Sequence, residues 1–194
     1  DQKEIVEGWL SLGDHGYLDE LGHLHILDRQ EDVITNTDGE IIYPRLVENE
    51  LKSSPYIQEA VCFGKDKPYM TAILNIDMNS VGRWADKNRI LYTEYSDLSR
   101  NPKVVELIEQ QVEQLMSKLS PQNRVKKFSI LHKQFTADQG ELTRTLKIRR
   151  NFVEQKYKIL LDGMYSDTQE VSLTSSQTES VEEEVSLRVI QLKI

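Results

Sequence analysis

The sequence has little cysteine, fewer basic than acidic residues, and no long apolar run. Its 194 residues include one cysteine, Cys62, which excludes an internal disulfide and leads us to expect a cytoplasmic protein. Lysine and arginine number 24 against 32 acids, and the net charge of −8 argues against a nucleic-acid binder. No stretch reaches the roughly 20 apolar residues of a membrane span, and no signal peptide or methionine opens the chain. We therefore expect a piece of a larger protein.

The patterns that are present alternate between strand and helix and predict an α+β fold. Two apolar runs around "DELG" predict a small hairpin within residues 8–34. Three apolar runs, "IQEAVCFGK", "YMTAILNID" and "KKFSILHKQF", predict a three-stranded sheet, with Cys62 buried in the first. About three helices should flank this sheet.

Helix signals follow two prolines and the basic run near residue 148. Pro44 suits the first turn of one helix and Pro102 the first turn of the longest. A short helix is expected over "MNSVGRWADKNRI", whereas "LYTEYSDLSRN" is predicted to be a polar connection. The last helix should run from about Ile148. The longest helix carries apolar residues three and four apart on one face, namely Val104, Ile108, Val112, Leu115 and Leu119.

The composition changes after Tyr165. Residues 166–194 contain six acids and two bases, and we predict that they form a flexible, acidic tail. Only the final "SLRVIQLKI" alternates enough to add a strand. The predicted organisation is a hairpin and hinge-leading segment in residues 1–30, an α+β domain in 31–165, and the tail in 166–194.

Two acidic turns flank the predicted hairpin. Asp14 follows Gly13, and Asp28-Arg29 ends the second strand. A carboxylate in such a turn can accept two hydrogen bonds from the hydroxyls of a sugar, and Arg29 can contact an anion. A capped turn with a surface ion pair explains the same residues equally simply.

Metal binding finds little support in the sequence. His23 and His25 share one strand face and His15 adjoins Asp14, but no established ligand spacing is present. A calcium loop around Asp38-Gly39 fails because Ile34 and Arg45 would occupy positions that need carboxylates. We therefore assign no metal site to this chain.

The run "ELTRTLKIRR" collects positive charge in an acidic protein. Arg144, Lys147, Arg149 and Arg150 fall within seven residues, just before the last predicted helix. Cations at the positive end of a helix are unfavourable unless an anion lies among them. Either an external phosphate or carboxylate binds there, or the run is a solvated face paired with the protein's own acids.

Taken together, these stretches resemble the C-terminal domain of the adenylate-forming superfamily, which includes acyl-CoA synthetases and firefly luciferase. "GWLSLGDHGYLDELGHLHILDRQEDVI" and "GEIIYPRLVE" are similar to its Gly-Asp-x-Gly, Asp-Arg and Gly-Glu-x-x-x-Pro series. "GELTRTLKIRR" resembles its final lysine motif in the form typical of long-chain acyl-CoA synthetases. The resemblance covers about residues 8–165 and implies ATP-dependent formation of an acyl-adenylate, then of a thioester with coenzyme A.

The resemblance also implies residue roles. Asp14 and Arg29 would contact the nucleotide sugar, and Lys147 would serve the adenylation step. A hinge would lie at Glu31, with Asp32 as the neighbouring alternative. After rotation of the domain, the turn formed by Asp38, Gly39 and Glu40 would line the tunnel for the CoA thiol.

This sequence departs from the family pattern at several positions. Glu31 stands where aspartate or lysine is usual, and Asp38-Gly39 replaces a glycine pair. Leu146 stands where glycine often precedes the lysine, as in the long-chain branch, and Arg144 stands where that branch usually has proline.

The implied substrates are a fatty acid, ATP with Mg2+, and CoA, bound mainly by an N-terminal adenylation domain of the same enzyme. Nothing in the sequence matches that domain, so the chain alone should be inactive, with at most peripheral membrane contact. Two alternatives stay open: an acyl-AMP ligase that loads a carrier protein, and a non-catalytic anion-binding or interaction module.

Overall fold

The computed structural model describes residues 5–6, 9–10, 12–37, 39–176 and 182–193. Its α-helices are α1 (Pro44–Leu51), α2 (Met78–Lys87), α3 (Tyr95–Arg100), α4 (Pro102–Met116), α5 (Arg150–Lys156) and α6 (Lys158–Met164). The strands are β1 (Ile5–Val6), β2 (Trp9–Leu10), β3 (Asp14–Leu18), β4 (Leu24–Arg29), β5 (Ile34–Thr35), β6 (Ile41–Ile42), β7 (Ile57–Phe63), β8 (Met70–Ile76), β9 (Val125–Ile130), β10 (Glu170–Ser176), β11 (Glu182–Arg188) and β12 (Ile190–Gln191). The α+β prediction is confirmed.

A four-stranded sheet forms the centre, in the order β12-β9-β8-β7. β7 and β8 are antiparallel, β8 and β9 are parallel, and β12 pairs antiparallel with β9. All seven residues of β8 are buried, as expected for a strand covered on both faces. The three predicted strands are therefore present, and a fourth extends the sheet beside β9.

Each face of the sheet carries its own apolar cluster, because side chains alternate along β7. Ala60 and Cys62 belong to the cluster shared with α1, α2 and α4. Val61 and Phe63 belong to a second cluster with α5, α6 and the β10–β11 hairpin. Burial raises the pKa of the Cys62 thiol well above its usual value, consistent with its expected role as a buried apolar residue.

The longest helix follows the prediction closely. α4 begins at Pro102, and the Asn101 side chain accepts a hydrogen bond from the backbone N–H of Lys103. Four of the five predicted stripe residues are buried, whereas Leu119 lies beyond the helix end and packs partly against the cluster.

Two helix predictions were wrong. The supposed polar connection contains α3, whose start is fixed by a reciprocal capping box between Glu94 and Asp97. The last helix begins at Arg150 rather than Ile148 and divides at Tyr157 into α5 and α6. The usual capping signature has serine or threonine first and glutamate or glutamine third after it, so Glu94 and Asp97 form the box without that sequence signal.

The structure differs from the predicted flexible tail over residues 166–176 and 182–193. β10 pairs with β11 over seven residue pairs, and Val171, Val185 and Leu187 are buried in the second cluster. β12 lies within "SLRVIQLKI", so the strand expected there is confirmed. The acidic composition after Tyr165 predicted flexibility, although alternating apolar residues in β10 and β11 pack on the sheet. The boundaries proposed at residues 30 and 165 stay predictions.

The predicted N-terminal hairpin is present as β3 and β4, and a smaller hairpin, β5–β6, follows it. Much of β3 and β4 is exposed, including their apolar side chains. No helix among the described residues is long and apolar enough to cross a bilayer.

Candidate functional site

Asp14 and Arg29 meet where β3 begins and β4 ends. They are cross-strand partners, and Arg29 Nε lies 3.1 Å from Asp14 Oδ1. Gly13 precedes them with a φ of 74°, and its carbonyl accepts a hydrogen bond from Gln30 N at 2.8 Å. A left-handed conformation is natural for glycine, so the turn presents the carboxylate at the edge of the hairpin. The structure thus brings both predicted sugar-contacting residues together.

The histidines contact a carboxylate at the tip of the same hairpin. His23 Nδ1 and His25 Nε2 each lie 3.0 Å from Asp19 Oδ2. The hydrogen bond with His25, followed by that with the backbone of His23, lowers the pKa of Asp19 to about 2. Across the part of the chain that the structure describes, no group of three His, Cys, Asp or Glu side chains is arranged to hold a metal ion.

The predicted hinge forms a tight turn. The carbonyl of Arg29 accepts hydrogen bonds from Asp32 N at 3.0 Å and Val33 N at 3.2 Å. Glu31 is exposed, and its side chain has no hydrogen bond or ion pair within the described residues. Asp32 is held by Arg150, with Asp32 Oδ1 3.1 Å from the guanidinium Nε. The two hinge candidates therefore differ: among the described residues the side chain of Glu31 has no partner, whereas that of Asp32 is paired with Arg150.

Arg150 links that anchor to the sheet and to α1. Its Nη1 donates to Glu48 Oε1 and to the carbonyl of Cys62, both at 2.7 Å, and its Nη2 donates to Glu48 Oε2 at 3.0 Å. Burial alone would lower the pKa of Arg150, but the Glu48 carboxylate outweighs burial and raises that pKa above its ordinary value. In the sequence, Arg150 is recognisable only as one member of a basic run.

The signal for this buried ion pair lay in α1. Glu48 stands among the inward-facing positions Pro44, Val47 and Leu51, and it is 7% exposed. A carboxylate on the apolar face of a helix needs a cationic partner when buried. The sequence could have shown that need, but not which of the distant cations meets it.

Asp28 fastens the other side of the hinge to α1. Its carboxylate is fully buried and accepts hydrogen bonds from Arg29 N and Arg45 N, both at 2.8 Å. Arg45 N is an otherwise unpaired donor in the first turn of α1, where Tyr43 provides no side-chain cap. Sequence analysis grouped Asp28 with Arg29 without finding this capping role.

The predicted CoA-tunnel turn joins β5 to β6. Asn36 organises it: its side chain accepts from Glu40 N at 2.9 Å and donates to Glu40 Oε2 at 3.0 Å. Gly39 has a φ of 80°, and no atom lies within 4 Å of the position that a Cβ would take. Asp38 lies outside the described residues. Gly39 and Glu40 are thus presented on an exposed turn that Asn36 fixes.

Lys147 lies on a short hairpin rather than on a helix. Leu142 and Ile148 form an antiparallel bridge, and Thr143 N donates to the Lys147 carbonyl at 2.8 Å. Leu146 N donates to the Thr143 carbonyl at 2.9 Å, and Leu146 has a φ of 59°. This is the pattern of a three-residue hairpin loop with a bulge at Leu146. Glycine would adopt the positive φ at this position without strain. We call residues 143–147 the lysine loop.

The Lys147 side chain of the lysine loop is unpaired among the described residues. Lys147 is exposed, and its ammonium has no hydrogen bond, ion pair or ring contact to any residue that the structure describes. Thr143 Oγ1 accepts from Lys147 N at 3.1 Å and lies 3.0 Å from Thr145 Oγ1. The hydroxyls of Thr143 and Thr145 therefore help to close the loop.

These features define two groups of predicted residues. Asp14 pairs with Arg29 at the hairpin, whereas Lys147 lies three residues before Arg150, whose guanidinium binds Asp32 beside the hinge. The structure shows no contact between Lys147 and the Asp14–Arg29 pair within the described residues. Asp14 and Lys147 are therefore both exposed, and they do not contact each other.

Two solved adenylation domains share this fold. That of the carboxylate reductase from Mycobacterium chelonae has a TM-score of 0.66 at 21% identity, over 83% of this chain and 24% of that chain. The A domain of carboxylic acid reductase from Segniliparus rugosus, solved with AMP and a co-purified carboxylic acid, has a TM-score of 0.64 at 18% identity, over 81% of this chain and 23% of that chain. The structure thus has a fold that occurs within adenylation domains.

Sequence comparison gives the family. The sequence model of the AMP-binding enzyme C-terminal domain matches residues 31–169, and this chain belongs to that family. A long-chain-fatty-acid–CoA ligase of Mycobacterium tuberculosis is 32% identical over 163 residues, which are 84% of this chain and 27% of that protein. A long-chain-fatty-acid–CoA ligase of Homo sapiens is 31% identical over 177 residues, with 82% and 27% covered. The chain spans about a quarter of these curated relatives.

Proposed function

We propose that this chain is the mobile C-terminal domain of an AMP-forming long-chain acyl-CoA synthetase. The observation that carries the proposal is the lysine loop, which presents Lys147 exposed and unpaired among the described residues of a C-terminal AMP-binding domain. The full enzyme would join a fatty acid to ATP as an acyl-adenylate, releasing pyrophosphate, and then transfer the acyl group to CoA, releasing AMP. The domain alone would be inactive, because it supplies only part of the site.

In the first half-reaction, Lys147 would contact both the attacking carboxylate and the α-phosphate. Its positive charge would stabilise the negative charge that develops between them, and removing one such donor costs about 3–4 kcal/mol. Asp14 would accept hydrogen bonds from the ribose hydroxyls, while Arg29 would hold that carboxylate in place and reach the sugar. The 3.1 Å separation of the pair supports this division of roles.

In the second half-reaction, the domain would turn about Glu31 and replace Lys147 with the turn that contains Gly39. The free side chain of Glu31 and the anchored side chain of Asp32 favour Glu31 as the pivot. The contact between Asp28 and Arg45 N spans this pivot and would have to change during rotation. Gly39 and Glu40 would then line the tunnel for the thiol, where the missing Cβ of glycine leaves space for the ligand.

The partner of this domain would be the N-terminal adenylation domain of the same enzyme. Five apolar side chains of the β3–β4 hairpin are more than half exposed and would be covered by it: Tyr17, Leu18, Leu21, Leu24 and Ile26. The described residues offer no metal-ligand group, so Mg2+ and most of ATP and CoA would be bound by that domain. Mg2+ would neutralise the phosphates there.

The test is pyrophosphate release by the full-length enzyme across a panel of carboxylic acids, with Lys147→Ala as the matched variant. We expect release with long-chain fatty acids and a loss of about two to three orders of magnitude in the variant. Release that does not depend on the carboxylic acid, or that survives in Lys147→Ala, would contradict the proposal. A product found on a carrier protein rather than on CoA would reassign the acceptor.

A further inference from the structure

The four cations of the basic run divide into two classes. Arg150 is bound by Glu48 and Asp32, and Arg149 donates to the Gly140 carbonyl at 3.1 Å and stacks on Phe152. Arg144 and Lys147 are exposed, and neither side chain has a hydrogen bond, ion pair or ring contact anywhere in the described ranges. Two cations of the run, Arg149 and Arg150, therefore serve the fold, whereas Arg144 and Lys147 have no anionic partner among the described residues.

The carboxylate closest in sequence is not available to these two cations. Glu141 is fully buried, and its Oε1 lies 2.7 Å from Lys156 Nζ and 3.2 Å from the hydroxyl of Tyr157. Burial by itself would raise the pKa of Glu141, but the hydrogen bond from Lys156, followed by that from the backbone of Thr136, lowers it below its ordinary value. The carboxylate thus stays charged and turned inward, leaving positive charge on the lysine loop.

The turn itself does not explain why an arginine occupies position 144. In a hairpin loop of this type, residue 144 is the second residue of a turn closed by the Leu146–Thr143 hydrogen bond, where proline is favoured. The backbone N–H of Arg144 makes no hydrogen bond to the described chain, so proline would break none. Arg144 therefore adds charge where the backbone favours proline.

Arg144 and Lys147 must also move together. They share one five-residue loop that three hydrogen bonds close, from Thr143 N, Leu146 N and Lys147 N. Any movement that brings the Lys147 ammonium to the α-phosphate therefore brings the Arg144 guanidinium to the same region. In the half-reaction that uses Lys147, that residue would serve the carboxylate and the α-phosphate, and the remaining anionic groups of the substrates are the β- and γ-phosphates of ATP.

We propose that Arg144 binds the β- and γ-phosphates of ATP during adenylation, and hence the pyrophosphate that leaves. A guanidinium can donate two parallel hydrogen bonds to phosphate oxygens, which an ammonium cannot. The inference rests on the proposed function of Lys147 and adds a second phosphate-binding residue on the same loop. Its role ends when the domain rotates, because the lysine loop then leaves the site.

The experiment measures the two half-reactions separately in full-length Arg144→Pro and Arg144→Lys enzymes. Pyrophosphate-dependent exchange of label into ATP reports the first, and thioester formation from supplied acyl-AMP and CoA reports the second. We expect Arg144→Pro to raise the KM for pyrophosphate about tenfold, because it removes one charge-assisted contact. The KM of Arg144→Lys should lie between that of Arg144→Pro and that of the parent enzyme. Thioester formation should be unchanged in both variants.

An unchanged KM for pyrophosphate in Arg144→Pro would overturn the inference. So would a raised KM for CoA in its place, since that would assign the guanidinium to the phosphates of CoA. Arg144→Pro preserves the turn, and an unaltered melting temperature separates loss of binding from loss of folding. Lys147→Ala in the same assay separates the two claims. If Lys147→Ala retains exchange, the proposed function fails. If Lys147→Ala loses exchange but Arg144→Pro leaves the KM for pyrophosphate unchanged, this inference alone fails.

Discussion

The Arg150 side chain connects the lysine loop to Asp32, next to the proposed hinge at Glu31. It is the last residue of the basic run, and its guanidinium binds Glu48, Asp32 and the carbonyl of Cys62. The lysine loop, α1 and the segment after Glu31 are thereby joined to β7. Movement of the domain should therefore carry the lysine loop and residue 32 as one unit.

Arg150→Met should lower the free energy of unfolding by about 3–5 kcal/mol, because it leaves the largely buried Glu48 without its cation. Arg149→Met is the matched control: this neighbour is exposed and stacks on Phe152, so we expect a loss of about 1 kcal/mol or less. Urea unfolding of the two variants measures both. Equal losses would show that the buried network contributes nothing beyond a surface contact.

At the scale of elements, the last strand, β12, completes the central sheet. Leu192 is 5% exposed, belongs to the first apolar cluster, and its N–H donates to the carbonyl of Lys126 at 2.9 Å. β12 also covers the outer edge of β9, which would otherwise be open to pairing with other chains. The chain therefore closes its own sheet with a segment that lies outside the family match.

Leu192→Ala should destabilise the domain by about 2–5 kcal/mol, since it removes a buried side chain and leaves a cavity. Gln191→Ala, in the exposed position next to it, should change stability by no more than about 0.5 kcal/mol. Thermal unfolding distinguishes them. If both variants have the melting temperature of the parent protein, β12 adds no stability, and the expectation of a flexible tail would regain support.

Elements with strong local signals were predictable from the sequence. The stripe on α4, the apolar runs of β7, β8 and β9, and the β3–β4 hairpin all appear where their patterns indicate. The tail was missed because its two core positions per strand, such as Val185 and Leu187, stand among acids. The exposure of Lys147 and the burial of Arg150 were not predictable, because both depend on which distant acids fold next to them.

At the scale of the whole molecule, two different groups follow the proposed hinge along the chain. The lysine loop offers cations, whereas Gly39 offers backbone without a side chain. Arg150 fixes the lysine loop to Asp32, so both groups would travel together when the chain pivots at Glu31. One rigid domain could thus serve two reactions in turn, each with its own group.

The most direct measurement of this claim is the rate of each half-reaction in full-length Lys147→Ala and Gly39→Asn enzymes. Asparagine tolerates the left-handed backbone, and a Cβ at position 39 would meet nothing within the domain, so the fold should persist. The account predicts that Lys147→Ala loses acyl-adenylate formation but keeps thioester formation from acyl-AMP, and that Gly39→Asn does the reverse. Equal loss of both half-reactions in either variant would contradict it.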